Sequence, residues 1–152
     1  MVRSKRLKPI RKMAQDKEKA AAQALGQSLE LQKTEQQKLT QLKQYRQEYL
    51  ADMMQKVATG INGASLQHYH HFLNKIDEAI SQQDEVLCRC GDQLTASQGE
   101  WRDKRSRAKA ITQVMGKMSA KEKKALDKKE ANQNDELSTQ AFLRRQGVQT
   151  HG

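Results

Sequence analysis

Proline is almost missing from this chain. Pro9 is the only one in 152 residues, so nothing downstream punctuates the sequence as the loops of a compact fold would. Aromatic residues make up 4% and hydrophobic residues 36%, too little apolar mass for a thick globular core. The two cysteines, Cys88 and Cys90, form a C-x-C, too close for a relaxed disulfide and without a second ligand pair for zinc. Cys90 is expected as a small core residue. His68, His70 and His71 cluster, and His68 and His71 share a helix face, but no carboxylate or cysteine completes a metal site, so a solvent-facing role is expected. No phosphate-cradling glycine loop and no nucleophile motif occurs, which argues against an enzyme and against any cofactor. No apolar run approaches the ~18 residues a membrane span requires. The N-terminus is basic without the apolar stretch of a signal peptide, so a cytoplasmic protein is expected.

What the chain does have is a heptad repeat. With Leu66 at position a, the a series runs Leu66, Leu73, Ile80, Leu87, Leu94, Trp101, Ala108 and Met115, all apolar. The d series is mixed: Tyr69, Ile76, Gln83, Cys90, Ser97, Lys104, Ile111 and Met118. A 3-4 spacing sustained this long marks a left-handed coiled coil, because 3.5 residues per turn keeps one seam facing a partner.

The partner is upstream. A helix is expected over 9–58, with Pro9 at its start, where a missing amide costs nothing. Leu39, Leu42, Tyr45, Tyr49, Met53 and Val57 form its apolar stripe, thinning earlier to Leu25 and Leu29, with Gln32 and Gln36 at seam positions. Residues 59–65, with Gly60, Asn62 and Gly63 permitting positive φ, read as a tight reversal, and Ser65 as the cap of a second helix over 66–130. Short helix connections make antiparallel neighbours. The expected fold is thus all-α: one elongated domain, a long antiparallel two-helix coiled coil with arms of ~75 Å or more at ~1.5 Å per residue. Residues 131–152 are expected as a flexible C-terminal segment, with Ala141, Phe142 and Leu143 as an apolar knot.

Charge is concentrated. The formal net charge is +10. Residues 1–19 hold eight Lys or Arg against two acids, and residues 102–130 eleven against four, whereas residues 20–101 hold seven against ten. An antiparallel hairpin lays the two basic stretches side by side, which should draw an acidic partner in a salt-sensitive way. The candidate contact residues there are Lys5, Arg6, Lys8, Arg11, Lys12, Arg102, Arg105, Arg107 and Lys109. Aromatics segregate towards the turn. Tyr45, Tyr49 and Tyr69 are assigned to the seams, and Phe72 flanks the seam as a candidate anchor for another protein. Trp101, at a, is bulky for a narrow seam and could anchor a partner more weakly.

The residues also carry a family resemblance. Arg6-Leu7-Lys8-Pro9 with Met13-Ala14, Ala20-Ala21-Ala22 to Leu25-Gly26, Leu42-x-x-Tyr45-Arg46-x-Glu48-Tyr49 and Gly60-x-x-Gly63 resemble the FliJ family of bacterial flagellar type III export proteins. The likeness continues through Tyr69-x-x-Phe72-Leu73, Ala79-Ile80-x-Gln82-Gln83, Trp101 and Asp135-Glu136-Leu137-Ser138, covering nearly the whole chain in order. The resemblance implies a hairpin similar to the rotary stalk subunit of F-type ATPases. Its terminal end would enter the pore of a hexameric flagellar export ATPase, and a face near the turn would contact the cytoplasmic linker of the membrane export gate. Carried over by motif, that face is Leu42, Tyr45, Tyr49, Phe72, Ile76 and Ala79. Escort of export chaperones and a peripheral place at the inner membrane, at the flagellar base, are implied as well. The alternatives are the stalk of a virulence-type III secretion system or a basic nucleic-acid-binding coiled coil. The latter lacks the basic helix running straight into a parallel zipper, and its basic segments carry few aromatics for stacking.

Overall fold

The structure, a computed structural model, describes residues 2–150, with side chains from residue 3 to residue 147. It consists of α1 (Val2–Thr59) and α2 (Gly63–Thr150), packed antiparallel, with no strand among the described residues. The all-α two-helix hairpin expected from the heptads is the architecture observed.

Both helices are longer than the sequence pattern suggested. Pro9 lies inside α1 rather than at its start. A proline this near a helix N-terminus costs only the amide that would have met the Lys5 carbonyl, and that carbonyl is in reach of water. At the other end, residues 131–150 continue as helix instead of forming an irregular tail, and residues 151–152 lie outside the described residues. The stretch is free of proline and carries helix formers such as Gln133, Gln140 and Gln146, Leu137 and Leu143, Ala141, Arg144 and Arg145, so helix propensity outlasts the seam. Its side chains from 123 to 147 are all exposed, Phe142 and Leu143 included. The apolar knot buries nothing here.

Contacts divide the chain into two compact units, Glu18–Lys104 and Met1–Lys17 with Arg105–Gly152. In the first, the seam of α2 is the expected one: Leu73, Ile76 and Cys90 are buried, and Leu66, Tyr69, Ile80, Gln83, Leu87, Leu94, Ser97 and Trp101 are half-buried. Facing them, α1 carries a seam of equal regularity that the sequence disguises. Ala21, Ser28, Leu39 and Met53 are buried, and Glu18, Leu25, Gln32, Glu35, Leu42, Arg46 and Tyr49 half-buried, alternating steps of three and four throughout. In the second unit Ser4, Leu7, Arg11 and Ala14 meet Ala108, Ile111, Met115, Met118 and Glu122 in the same alternation. Ser4 donates its hydroxyl and its backbone amide to the Glu122 carboxylate, at 2.7 and 3.2 Å.

Four seam assignments are corrected. Tyr45, Val57, Leu29 and Gln36 are exposed, and Arg46, Ser28 and Glu35 hold positions of the α1 seam. The stripe Leu39–Leu42–Tyr45 takes two successive steps of three, which drifts off a seam that needs 3-4 alternation. Packing keeps the register of Leu39, Leu42, Tyr49 and Met53 and accepts a polar residue where the register demands one. Among the described residues no large side chain is wholly sealed, as a structure only two helices thick requires. A fully buried Leu or Ile gives about 1.5–3 kcal/mol, so these half-covered layers each contribute less.

The turn divides the work between two residues. Gly60 is the only described residue with positive φ, at 92°, and its N–H donates to the Val57 carbonyl at 3.2 Å. The Thr59 hydroxyl donates to the Lys56 carbonyl at 3.0 Å. These bonds satisfy carbonyls left over at the end of α1. The cap of α2 is Asn62, not Ser65: the Asn62 side-chain oxygen accepts the Ser65 N–H at 2.7 Å. A cap serves the amide three residues on, and here Ser65 supplies that amide. Nothing lies within 4 Å of a methyl group built on Gly60 or on Gly99, so alanine at either tests backbone alone. Gly60→Ala is expected to cost about 1–2 kcal/mol by forcing a left-handed conformation on an L-residue. Gly99→Ala, inside α2, should gain up to about 1 kcal/mol. Urea unfolding followed by circular dichroism should shift in opposite directions; a stabilised Gly60→Ala would refute the turn geometry.

Candidate functional site

Close to the turn, four aromatic rings from the two helices form one cluster in the Glu18–Lys104 unit. Tyr49, half-buried on the α1 seam, is the hub: its ring centroid lies 4.7 Å from Phe72, 5.1 Å from Tyr69 and 6.4 Å from Tyr45. Tyr45 meets Phe72 edge to face at 6.1 Å. Such pairs contribute roughly 0.5–1.5 kcal/mol beyond area burial, so the cluster clamps the two helices together beside the turn. Burial raises the Tyr49 hydroxyl above its ordinary pKa, with the neighbouring Tyr69 adding to the shift. Tyr69 donates to Asp52 at 3.1 Å, and the Lys56 ammonium lies 5.5 Å above the Tyr69 ring and 3.8 Å from Asp52. The outer members remain open to solvent: Tyr45 is 47% exposed and Phe72 36%. One turn further from the hairpin bend, Arg46 forks onto the Asp77 carboxylate across the seam, and Asp77 raises the Arg46 pKa.

Of the expected gate-contacting residues, the fold brings Leu42, Tyr45, Tyr49, Phe72 and Ala79 to the surface at least in part. Ile76 is different. At 5% exposure it belongs to the core, so it can serve a surface partner only by supporting its neighbours. Tyr49, half-buried, can hold a seam position and still show part of its ring to a partner, whereas Ile76 cannot.

The middle of this unit is polar where a coiled coil is normally apolar. Ser28 is 5% exposed, and its hydroxyl lies 3.0 Å from that of Ser97. The Gln83 amide donates to the Glu35 carboxylate at 2.6 Å and to its backbone carbonyl at 2.9 Å, and Lys38 reaches the same carboxylate at 3.1 Å. Polar seam residues commonly fix register at a cost in stability. Gln83 and then Lys38 hold the Glu35 carboxyl below its ordinary pKa. A depressed carboxyl pKa stabilises the fold above the unfolded value of about 4.3 and stops doing so as pH falls through the folded value. Glu35→Gln should therefore melt below the parent chain at pH 6, and the gap should close as the pH is taken down below about 4.3, read by circular dichroism. A gap of constant size across that range would refute the assignment.

The other unit is defined by charge. It holds eighteen Lys and Arg against six Asp and Glu, whereas the Glu18–Lys104 unit holds ten against twelve. Lys5, Arg6, Lys8, Arg11, Lys12, Arg105, Arg107 and Lys109 all fall in the basic unit; Arg102 falls in the other. All are exposed except Arg11, which is half-buried on the α1 seam. Cys88 is exposed and Cys90 buried at its d position, as its spacing implied. His68, His70 and His71 are exposed. Two shallow surface depressions, one along Gln23, Gln27, Glu30 and Thr34 and one around Arg3, Met118, Lys121 and Glu122, are open grooves. No described helix is long and apolar enough to cross a membrane.

An antiparallel pair of long helices with a heptad seam defines the class: an all-α two-helix coiled-coil hairpin. The model of the flagellar FliJ protein family matches residues 4–147, and the chain belongs to that family. Membership makes it a stalk-type protein of type III secretion and export. Among solved structures it is similar to a protein described as a YscO homolog, CT670 from Chlamydia trachomatis. The identity is 15% and the TM-score 0.49, over 96% of this chain and 97% of that one. No curated protein matches.

Proposed function

We propose that this chain is a non-enzymatic component of the flagellar type III export apparatus, acting as a stalk for the export ATPase. The basic unit binds the hexameric ATPase and favours ring assembly and turnover. The aromatic shoulder engages the cytoplasmic linker of the membrane export gate, and the chain escorts emptied export chaperones. It reaches the inner membrane only through those partners. The family match across residues 4–147 is the observation that carries this reading. The separation of charge supports it, because one strongly basic unit and one near-neutral unit suit an acidic pore lining for the first and a different partner for the second.

The test is the turnover of a flagellar export ATPase with and without this protein, at near-physiological salt and with excess duplex DNA as competitor. Stimulation with ring formation that DNA does not abolish is the expected result. Stimulation of a virulence-system ATPase but not of a flagellar one would move the stalk to the sister system. No stimulation of either, with tight DNA binding, would replace the proposal with a nucleic-acid role.

A further inference from the structure

The heptad register exposes a feature that the aromatic cluster only begins. In α1 the g positions of the Glu18–Lys104 unit include Leu31, Lys38 and Tyr45; in α2 they include Phe72, Ala79 and Val86. In an antiparallel pair the g positions of both helices flank the same side of the seam, and the edge-to-face contact of Tyr45 with Phe72 is that juxtaposition realised. Leu31 is 42% exposed, and Ala79 and Val86 are half-buried. Leu31, Val86, Ala79, Tyr45 and Phe72 therefore make one apolar strip along this flank, longer than the rings alone.

Charge is sorted about the strip. Between residues 72 and 92 of α2 the exposed acids Asp77, Glu78, Asp84, Glu85 and Asp92 all occupy e and f, on the opposite flank and the back. Acids return to this side only beyond the strip, at Glu100 and Asp103. The exposed bases Lys75 and Arg89 occupy c, beside g, and Lys38 sits in the g row of α1. Two exposed acids border the strip's turn-proximal end, Glu48 at c and Asp52 at g of α1. An apolar groove edged by Lys38, Lys75 and Arg89 complements a helix with an apolar seam and acidic shoulders.

We infer that this flank is the seat of a third helix: an acidic amphipathic helix from a partner, lying along Phe72, Ala79 and Val86 and completing a local three-helix coil. The inference rests on the proposed role of the shoulder as a partner surface and deepens it, since it names the partner's secondary structure and charge and extends the footprint to Leu31 and Val86. It does not depend on the ATPase.

The probe is a labelled synthetic helix of about four heptads, with leucine at a and d and glutamate at e and g, whose like charges keep it from pairing with itself. Its counterpart carries lysine at e and g. Fluorescence anisotropy with the full chain should show the acidic helix binding at least tenfold more tightly than the basic one. The double variant Leu31→Gln, Val86→Gln should lose tenfold or more while melting close to the parent chain. Equal binding of the two helices would overturn the inference. So would undiminished binding to the double variant: if Phe72→Ala then still abolishes binding, the shoulder stands and its extension falls, and if Phe72→Ala is also silent, the shoulder reading falls too. Sedimentation without peptide supplies the rival occupant. A dimer dissolved by Leu31→Gln would assign the strip to a second copy of the chain and overturn the acidic-helix inference.

Discussion

Replacing Lys5, Arg6, Lys8 and Lys12 together by glutamine is expected to weaken association with the export ATPase by roughly 30- to 1,000-fold at low salt. Each exposed interfacial charge contributes about 0.5–1 kcal/mol, and four of them give about 2–4 kcal/mol. All four side chains are exposed, so the fold should survive their loss. Arg11 is left in place because it is half-buried on the seam, and removing it would mix binding with stability. The measurement is a binding titration across a series of ionic strengths. The parent chain should lose affinity steeply as salt rises, and the variant should show a flatter slope. Identical affinity and slope would mean that the basic unit only keeps the protein soluble.

The second large effect separates core from surface within one turn of α2. Ile76→Ala is expected to cost about 2–4 kcal/mol, because the side chain is 5% exposed and its loss leaves a void between two helices with little else to fill it. Phe72→Ala removes ring contacts with Tyr45 and Tyr49 worth about 1–2 kcal/mol, yet it leaves the seam intact. Binding to a gate-linker peptide should nevertheless fall at least tenfold in Phe72→Ala, whose helicity at 25 °C stays near that of the parent. Ile76→Ala should lose helicity first and binding in proportion. Denaturant melts together with calorimetric binding distinguish the two; matching losses of helicity in both variants would place Phe72 in the core and remove it from the partner surface.

These contrasts turn on residues whose place the sequence left ambiguous. The α2 seam was legible because every a position is apolar over eight heptads, and no other register suits it. The α1 seam was legible only in part, at Gln32 for instance, because Ser28, Glu35 and Arg46 hold positions that hydrophobicity would never select. Their acceptance depends on partners distant in sequence: Ser97 for Ser28, Gln83 for Glu35 and Asp77 for Arg46. Among the described residues no buried side-chain nitrogen or oxygen is left without a partner, which is what makes such a seam tolerable. The shoulder was legible as a concentration of aromatics, but its geometry was not. Tyr45 lies beside the seam rather than in it, and Leu31 and Val86 were missed. A spacing of two heptads from Tyr45 back to Leu31, and from Phe72 on to Val86, was the available signal. It means little until the two flanks are known to face the same side.

Sequence alone determined the all-helical hairpin, its turn, the register of α2 and the separation of basic from near-neutral regions, because these follow from periodicity, glycine placement and charge counts along one strand of chain. Only the tertiary structure decided which residue caps α2, which polar groups enter the seam, and which of Tyr45, Tyr49 and Ile76 can meet a partner. Each of those depends on a group from the opposing helix, and a one-dimensional pattern does not contain the distance between two residues on different helices.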